Sequence, residues 1–254
     1  MVLSAPMPRT LLLSFAHPDD ESFLAGGTAC RYADAGVRVV LSSATRGESG
    51  KSGEPPLCTP EELPAVRERE LREAASILGV AALHFLGYRD RALDRAPPDG
   101  IRRQLVELIR LERPAVVLTF DPNGANLHPD HVAISRFTSD AVAAAADPRW
   151  FPDAGPPHEV SRLVWVPGRH PWEWARDPDA ARRPGVDFVM DVGPWHARRL
   201  AALEAHRTQR ASVTRHFLRH ADRERVLSLE FFRQAWGPRL RSRPAHDLFE
   251  GIED

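Results

Sequence analysis

The chain has 254 residues, with 34 basic and 35 acidic side chains and a formal net charge of −1. That balance gives no electrostatic case for nucleic acid or an anionic membrane surface as partner, and two cysteines, Cys30 and Cys58, cannot build a disulfide framework. No stretch approaches the ~20 apolar residues that span a bilayer, and residues 1–10 show no charged segment leading into a long apolar core, so a cytoplasmic protein with room for an oligomer is expected.

The length suits one large α/β domain over residues 1–254. Leu11-Leu12-Leu13-Ser14-Phe15 is short, apolar and without polar alternation, which predicts a strand buried on both faces of a parallel sheet. It empties into Ala16-His17-Pro18-Asp19-Asp20-Glu21. An imidazole and three carboxylates so close together are costly unless something positive sits among them, and a divalent metal is the simplest candidate. The competing reading is a turn in which Asp19 or Asp20 caps the next helix.

That helix is predicted over Glu21 to Ala35, weakened at Gly26-Gly27 and stopped by Gly36. Val37 to Leu41 reads as the second strand. The loop after it, Thr45-Arg46-Gly47-Glu48-Ser49-Gly50, leaves the same sheet edge as the first turn. Pro64 to Leu78 is a charged helix whose i,i+4 pairs mark a solvated face. Ala82 to Leu86 is a third strand, residues 100–112 a helix, and Ala115 to Phe120 a fourth buried strand. The repeat predicts a Rossmann-like α/β fold, a mostly parallel sheet with helices on both faces.

The fourth strand runs into turn-rich residues 121–127, then His128-Pro129-Asp130-His131 and a helix to Ala146. Open α/β sheets gather ligands at the carboxyl ends of their strands, so this cluster is expected beside the first. Further on, Leu163 to Val166 and Asp187 to Met190 read as strands and residues 195–210 as an amphipathic helix. Residues 211–254 read as a charged segment docked through Phe231, Phe232 and Trp236. His158, His170 and His246 are placed at the surface, and Trp172-Glu173-Trp174 in a packing or lid loop, with a sugar-stacking platform as the alternative.

A catalytic zinc site takes about three N/O ligands and leaves one position open. His17 and Asp20 with one histidine of the second cluster make such a set, and spacing alone does not choose between His128 and His131. Asp19 is then available as base toward a water, and the remaining histidine, oriented by Asp130, as donor to a developing oxyanion. No GxSxG elbow, P-loop or GxGxxG occurs.

The two signatures together resemble the LmbE-like, or PIG-L, family of metal-dependent N-deacetylases. Thr45-x-Gly47-Glu48-x-Gly50, Arg67-x-x-Glu70, Gly87-Tyr88-Arg89-Asp90 and residues 203–209 are similar to family segments as well. The resemblance implies His17, Asp20 and His131 as ligands to Zn2+, with Fe2+ as the alternative ion. It implies Asp19 as general base and His128 as the group that stabilises the oxyanion or protonates the leaving amine, with Asp130 behind it. Arg67, Glu48, Asp90 and Asn126 match positions near the sugar. The sequence departs from the family at Arg91-Ala92-Leu93, where relatives often have Ser-Gly-Met, and at Asn126, where the mycothiol branch has tyrosine. The activity implied is removal of an acetyl group from an N-acetylglucosamine-type conjugate, a small-molecule amino-sugar substrate. The alternatives are amide cleavage of a larger conjugate, a non-catalytic sugar-binding module, and an iron oxygenase.

Overall fold

The computed structural model describes residues 9–168, 171–174 and 176–253. Helices alternate with seven strands: β1 (Thr10–Phe15), α1 (Asp20–Leu24), α2 (Gly26–Asp34), β2 (Arg38–Ser43), α3 (Leu63–Leu78), β3 (Ala82–Phe85), α4 (Pro98–Glu112) and β4 (Val116–Phe120). After these come α5 (Gly124–Leu127), α6 (Pro129–Ala146), β5 (Arg162–Val166), α7 (Pro171–Trp174), β6 (Phe188–Asp191), α8 (His196–Ala205), α9 (Arg210–Val213), α10 (Arg223–Ser228) and β7 (Leu229–Trp236).

The sheet order is β3-β2-β1-β4-β5-β7-β6, parallel from β3 to β5. All six residues of β1 are buried, as its unbroken apolar run requires. The chain leaves β1 toward β2 and β3, then returns across it to β4. The direction of winding therefore reverses between β1 and β4, and the crevice that opens there at the strand ends receives both polar clusters. The expected mostly parallel α/β architecture is what forms. Among the described residues no helix is long and apolar enough to cross a membrane.

Two expected helices are corrected. The helix expected over residues 21–35 breaks at Ala25, whose φ of −146° is not helical. A side chain at Gly27 would meet Val192 at about 2.4 Å, and the restarted helix is capped by Glu230, which accepts the N–H groups of Gly27 (2.9 Å) and Thr28 (2.8 Å). The helix expected over 195–210 ends at Ala205, because His206 leaves helical geometry and residues 207–209 form a 3₁₀ turn.

The segment after residue 210 is more than a docked tail. It supplies β7, which pairs antiparallel with both β5 and β6. Phe231 and Phe232 are buried on it, but Trp236, at its end, is 40% exposed. Arg162, fully buried, ties the last residues down by donating to the carbonyls of Leu248 and Glu250. His170 lies outside the described residues. His246 is exposed, whereas His158 is half-buried and donates to the Pro114 carbonyl at 2.9 Å.

Candidate metal centre

The turn after β1 carries His17, Pro18 and Asp19 and opens α1 at Asp20, while α5 and the first turn of α6 carry Asn126, His128, Asp130 and His131. Nδ1 of His17 lies 3.1 Å from Nε2 of His131. The Asp20 carboxylate lies beside both, with Oδ2 3.6 Å from the former and Oδ1 3.4 Å from the latter. A tetrahedral ion with bonds of about 2.1 Å has donor-to-donor edges of about 3.4 Å, so the two nitrogens and this carboxylate are grouped closely enough to share one ion.

The outer nitrogens explain why the inner ones are free to ligate. Nε2–H of His17 donates to Asp130 (3.1 Å) and faces Asp90 (3.2 Å), and Nδ1–H of His131 donates to the Gly124 carbonyl (3.1 Å). Both rings thus keep a lone pair pointing inward, the arrangement that holds metal-ligating histidines in one tautomer. Two lone pairs facing at 3.1 Å repel unless a proton or a metal ion lies between them. Phe120 stacks on the His131 ring with centroids 4.0 Å apart and fixes its plane.

His17, His128 and His131 also bring donor atoms within 4.8 Å of one another. Nδ1 of His128, however, accepts the backbone N–H of Asp130 at 3.2 Å. A neutral imidazole has one lone pair, so its Nε2 carries the proton and is a donor, not a ligand.

Electrostatics follow the same contacts. Burial alone would lower the His17 imidazole, but its bonds to Asp130 and Asp90 and the Asp20 charge push it up to about 10, and a divalent ion at Nδ1 competes with that proton. Burial, with the charges of His17 and His128, drives His131 down to about 2. Burial pushes Asp19 up to about 6 against the pull of Arg67. Asp90 and Asp130 are held below the usual carboxylate range despite burial, because both accept from His17.

Asp19 sits in a strained conformation, φ 115°, which costs a non-glycine residue roughly 1–3 kcal/mol. Its N–H is taken by Glu21 (3.1 Å), and its carboxylate by Arg67 of α3 (3.1 Å). Arg67 donates further to the carbonyls of Pro18 and Gly47. A cavity of about 320 Å³ opens above His17, Asp19, Asp20 and His131, with Gly50, Gln209, Trp172 and His216 on its far walls.

The expected site residues divide by what they touch. His17, Asp19, Asp20, His128 and His131 line the cavity together with Asn126, whose side-chain oxygen accepts the His128 backbone N–H at 3.0 Å. The Asp130 carboxylate, expected behind His128, stands behind His17, because the N–H groups of Arg91 and Leu93 hold it there. Arg67 and Asp90 reach the cavity wall, but the terminal nitrogens of Arg67 are held by Asp19, Pro18 and Gly47, and Asp90 accepts from Ser49 (2.9 Å) and faces His17. Glu48 accepts the Asp90 N–H at 2.9 Å and does not line the cavity.

Sequence reasoning gave no role to Glu21, which accepts from His206 (2.8 Å), Ser22 (2.6 Å) and the Asp19 backbone. Its nearness to Asp20 was the only signal. Nor did sequence reasoning give a role to Arg199. It is fully buried, pairs with Glu230 (3.2 Å) and donates to the carbonyls of Ser22 and Phe23 at the end of the metal turn.

Residues 12–142 match the family described as PIG-L, GlcNAc-PI de-N-acetylase. A 1D-myo-inositol 2-acetamido-2-deoxy-alpha-D-glucopyranoside deacetylase 2 of Saccharopolyspora erythraea is 32% identical over 276 residues, covering 95% of this chain and 100% of the relative. A probable N-acetyl-alpha-D-glucosaminyl L-malate deacetylase 2 of Bacillus anthracis is 32% identical over 210 residues, covering 75% of this chain and 92% of its own. Among solved structures, the conserved protein TT1542 of Thermus thermophilus aligns with a TM-score of 0.71 at 29% identity, over 92% of this chain and 97% of that one. The family match contains both polar clusters, and with these relatives it establishes that the chain belongs to the PIG-L (LmbE-like) family.

Proposed function

We propose that this protein is a divalent-metal-dependent hydrolase that removes the acetyl group from the nitrogen of an N-acetylglucosamine-type conjugate, zinc being the favoured ion and ferrous iron the alternative. The observation that carries the reading is the convergence of His17 Nδ1, Asp20 and His131 Nε2 at 3.1 to 3.6 Å, with both rings' outer N–H groups occupied. The activities of the relatives, deacetylases of an N-acetylglucosaminyl inositol and an N-acetylglucosaminyl malate by name, point to the same bond.

An ion in this site supplies a Lewis acid for the amide carbonyl and lowers the pKa of water to about 7. Asp19, on the cavity wall beside Arg67, takes the proton of the attacking water and returns it to the departing nitrogen. Acetate and a free amine result, and the proton is conserved. Nε2–H of His128 donates to the carbonyl oxygen as it gains charge. Because Nδ1 of that ring accepts the Asp130 N–H, His128 acts as a neutral donor. As a general acid it would have to give up its one ring proton. Asp90 and Asp130 keep the His17 ring in register through Nε2.

The test is primary-amine release from N-acetylglucosaminyl inositol and N-acetylglucosaminyl malate, with and without chelator and with metal restored. Release that chelator abolishes and zinc or ferrous ion restores supports the reading. Release indifferent to chelator removes the metal from the account. No amine from either compound, with release from a larger amide conjugate, makes the protein an amidase of such conjugates.

A further inference from the structure

Arg91 follows Asp90 in the loop that supports the centre. Its backbone N–H donates to Asp130 at 2.6 Å and that of Leu93 to the same carboxylate at 3.1 Å, so the loop is pinned directly beneath His17. Arg91 adopts φ 62°, a region that favours glycine, yet carries one of the longest side chains. The residue is exposed and lines the cavity that holds the metal donors.

The charged groups around that cavity are otherwise matched. Asp19 is paired with Arg67, Asp90 and Asp130 face His17, and Asp20 accepts the His17 backbone N–H at 2.8 Å. Arg67, the other guanidinium on the wall, is 3% exposed and its terminal nitrogens donate to Asp19, Pro18 and Gly47. The guanidinium of Arg91 has no ion pair or hydrogen bond among the described residues. A planar fork of five donors, carried by a residue of the cavity wall and not ion-paired among the described residues, matches a carboxylate or phosphate.

We propose that Arg91 is a specificity residue that reads an anionic group on the aglycone, so that the protein favours acidic N-acetylglucosaminides over neutral ones. This deepens the deacetylase reading and rests on it. The carboxylate or phosphate stands beyond the sugar, out of the reaction, and contributes through a charge-assisted hydrogen bond. Such bonds give roughly ten- to hundredfold in binding at a partly exposed site.

The test uses the metal-loaded protein and two substrate pairs that differ only in charge. One pair is N-acetylglucosaminyl malate and its dimethyl ester, the other N-acetylglucosaminyl inositol with and without a phosphate on the inositol. Turnover is read as kcat/KM and, in parallel, the deacetylated forms of all four are titrated for Kd. The expected result is a preference of at least tenfold for the charged member of one pair, and the pair that shows it separates carboxylate from phosphate. Added salt weakens that preference.

Arg91→Gly suits the local backbone and so guards against misfolding. It brings the ratio between charged and neutral members close to one, and Arg91→Lys restores part of it. Equal Kd values within both pairs, or a ratio unchanged in Arg91→Gly, overturns the proposal whether or not the compounds are deacetylated. Absence of amine release with a charge preference retained in Kd overturns the deacetylase reading alone.

Discussion

The guanidinium of Arg67, on α3, bonds the carboxylate of Asp19 at 3.1 Å and the carbonyl of the residue before it, holding an aspartate at φ 115°. Strain of this kind persists only where surrounding contacts over-determine it. Lysine offers one point charge and cannot reach Asp19, Pro18 and Gly47 together. Arg67→Lys is therefore expected to fold, bind metal and lose kcat by at least about tenfold with a smaller change in KM. Arg67→Ala leaves the part-buried Asp19 carboxylate unpaired and is expected to lower unfolding free energy by about 1–3 kcal/mol. Urea titration and steady-state kinetics of the two variants check this, and wild-type kcat in Arg67→Lys would remove Arg67 from the positioning of Asp19.

Asp19→Asn tests the base directly. The amide keeps the shape and can still accept a bond from Arg67, but it cannot take a proton. General bases contribute roughly 10²–10⁴-fold, and a loss of that size with full metal content is the expected outcome. Single-turnover amine release with metal analysis of the same sample measures both, and near-normal turnover would move the base elsewhere.

The sheet and the position of the site were legible because they depend on local signals. Buried parallel strands are apolar throughout, and polar clusters at the ends of β1 and β4 meet wherever the winding reverses between those strands. The rest depends on contacts distant in sequence. The break at Ala25 exists because Val192 crowds Gly27 and Glu230 caps the restarted helix, and neither residue is near in the chain. Strand β7 escaped notice because Leu229–Trp236 mixes buried and exposed residues without alternation. Asp130 was expected to support its neighbour His128. A residue at a helix start aims its side chain by the helix geometry, and here that direction leads beneath His17.

The Glu21–His206 pair gives a pH signature in stability. Both groups are buried, and burial opposes both charges. Their mutual bond at 2.8 Å nevertheless holds Glu21 below its ordinary 4.5 and His206 above its ordinary 6.5. The lowered carboxyl contributes stability above pH 4.5 that is lost as pH falls through its folded value. The raised imidazole contributes stability below pH 6.5 that is lost as pH rises through its own. The difference in unfolding free energy between the wild type and His206→Gln is thus expected to be largest between these two values and to shrink on either side. A difference constant from pH 4 to 9 would mean that the pair is not ionised in the folded protein.

If His17, Asp20 and His131 together hold one ion, occupancy depends on these three residues and not on His128. Elemental analysis after exhaustive dialysis against zinc-containing and then metal-free buffer, on the wild type and four variants, measures this. One ion per chain is expected in the wild type and in His128→Ala, and less than a tenth of that in His17→Ala, Asp20→Ala and His131→Ala. Full occupancy in Asp20→Ala or His131→Ala, or loss of the ion in His128→Ala, would contradict it.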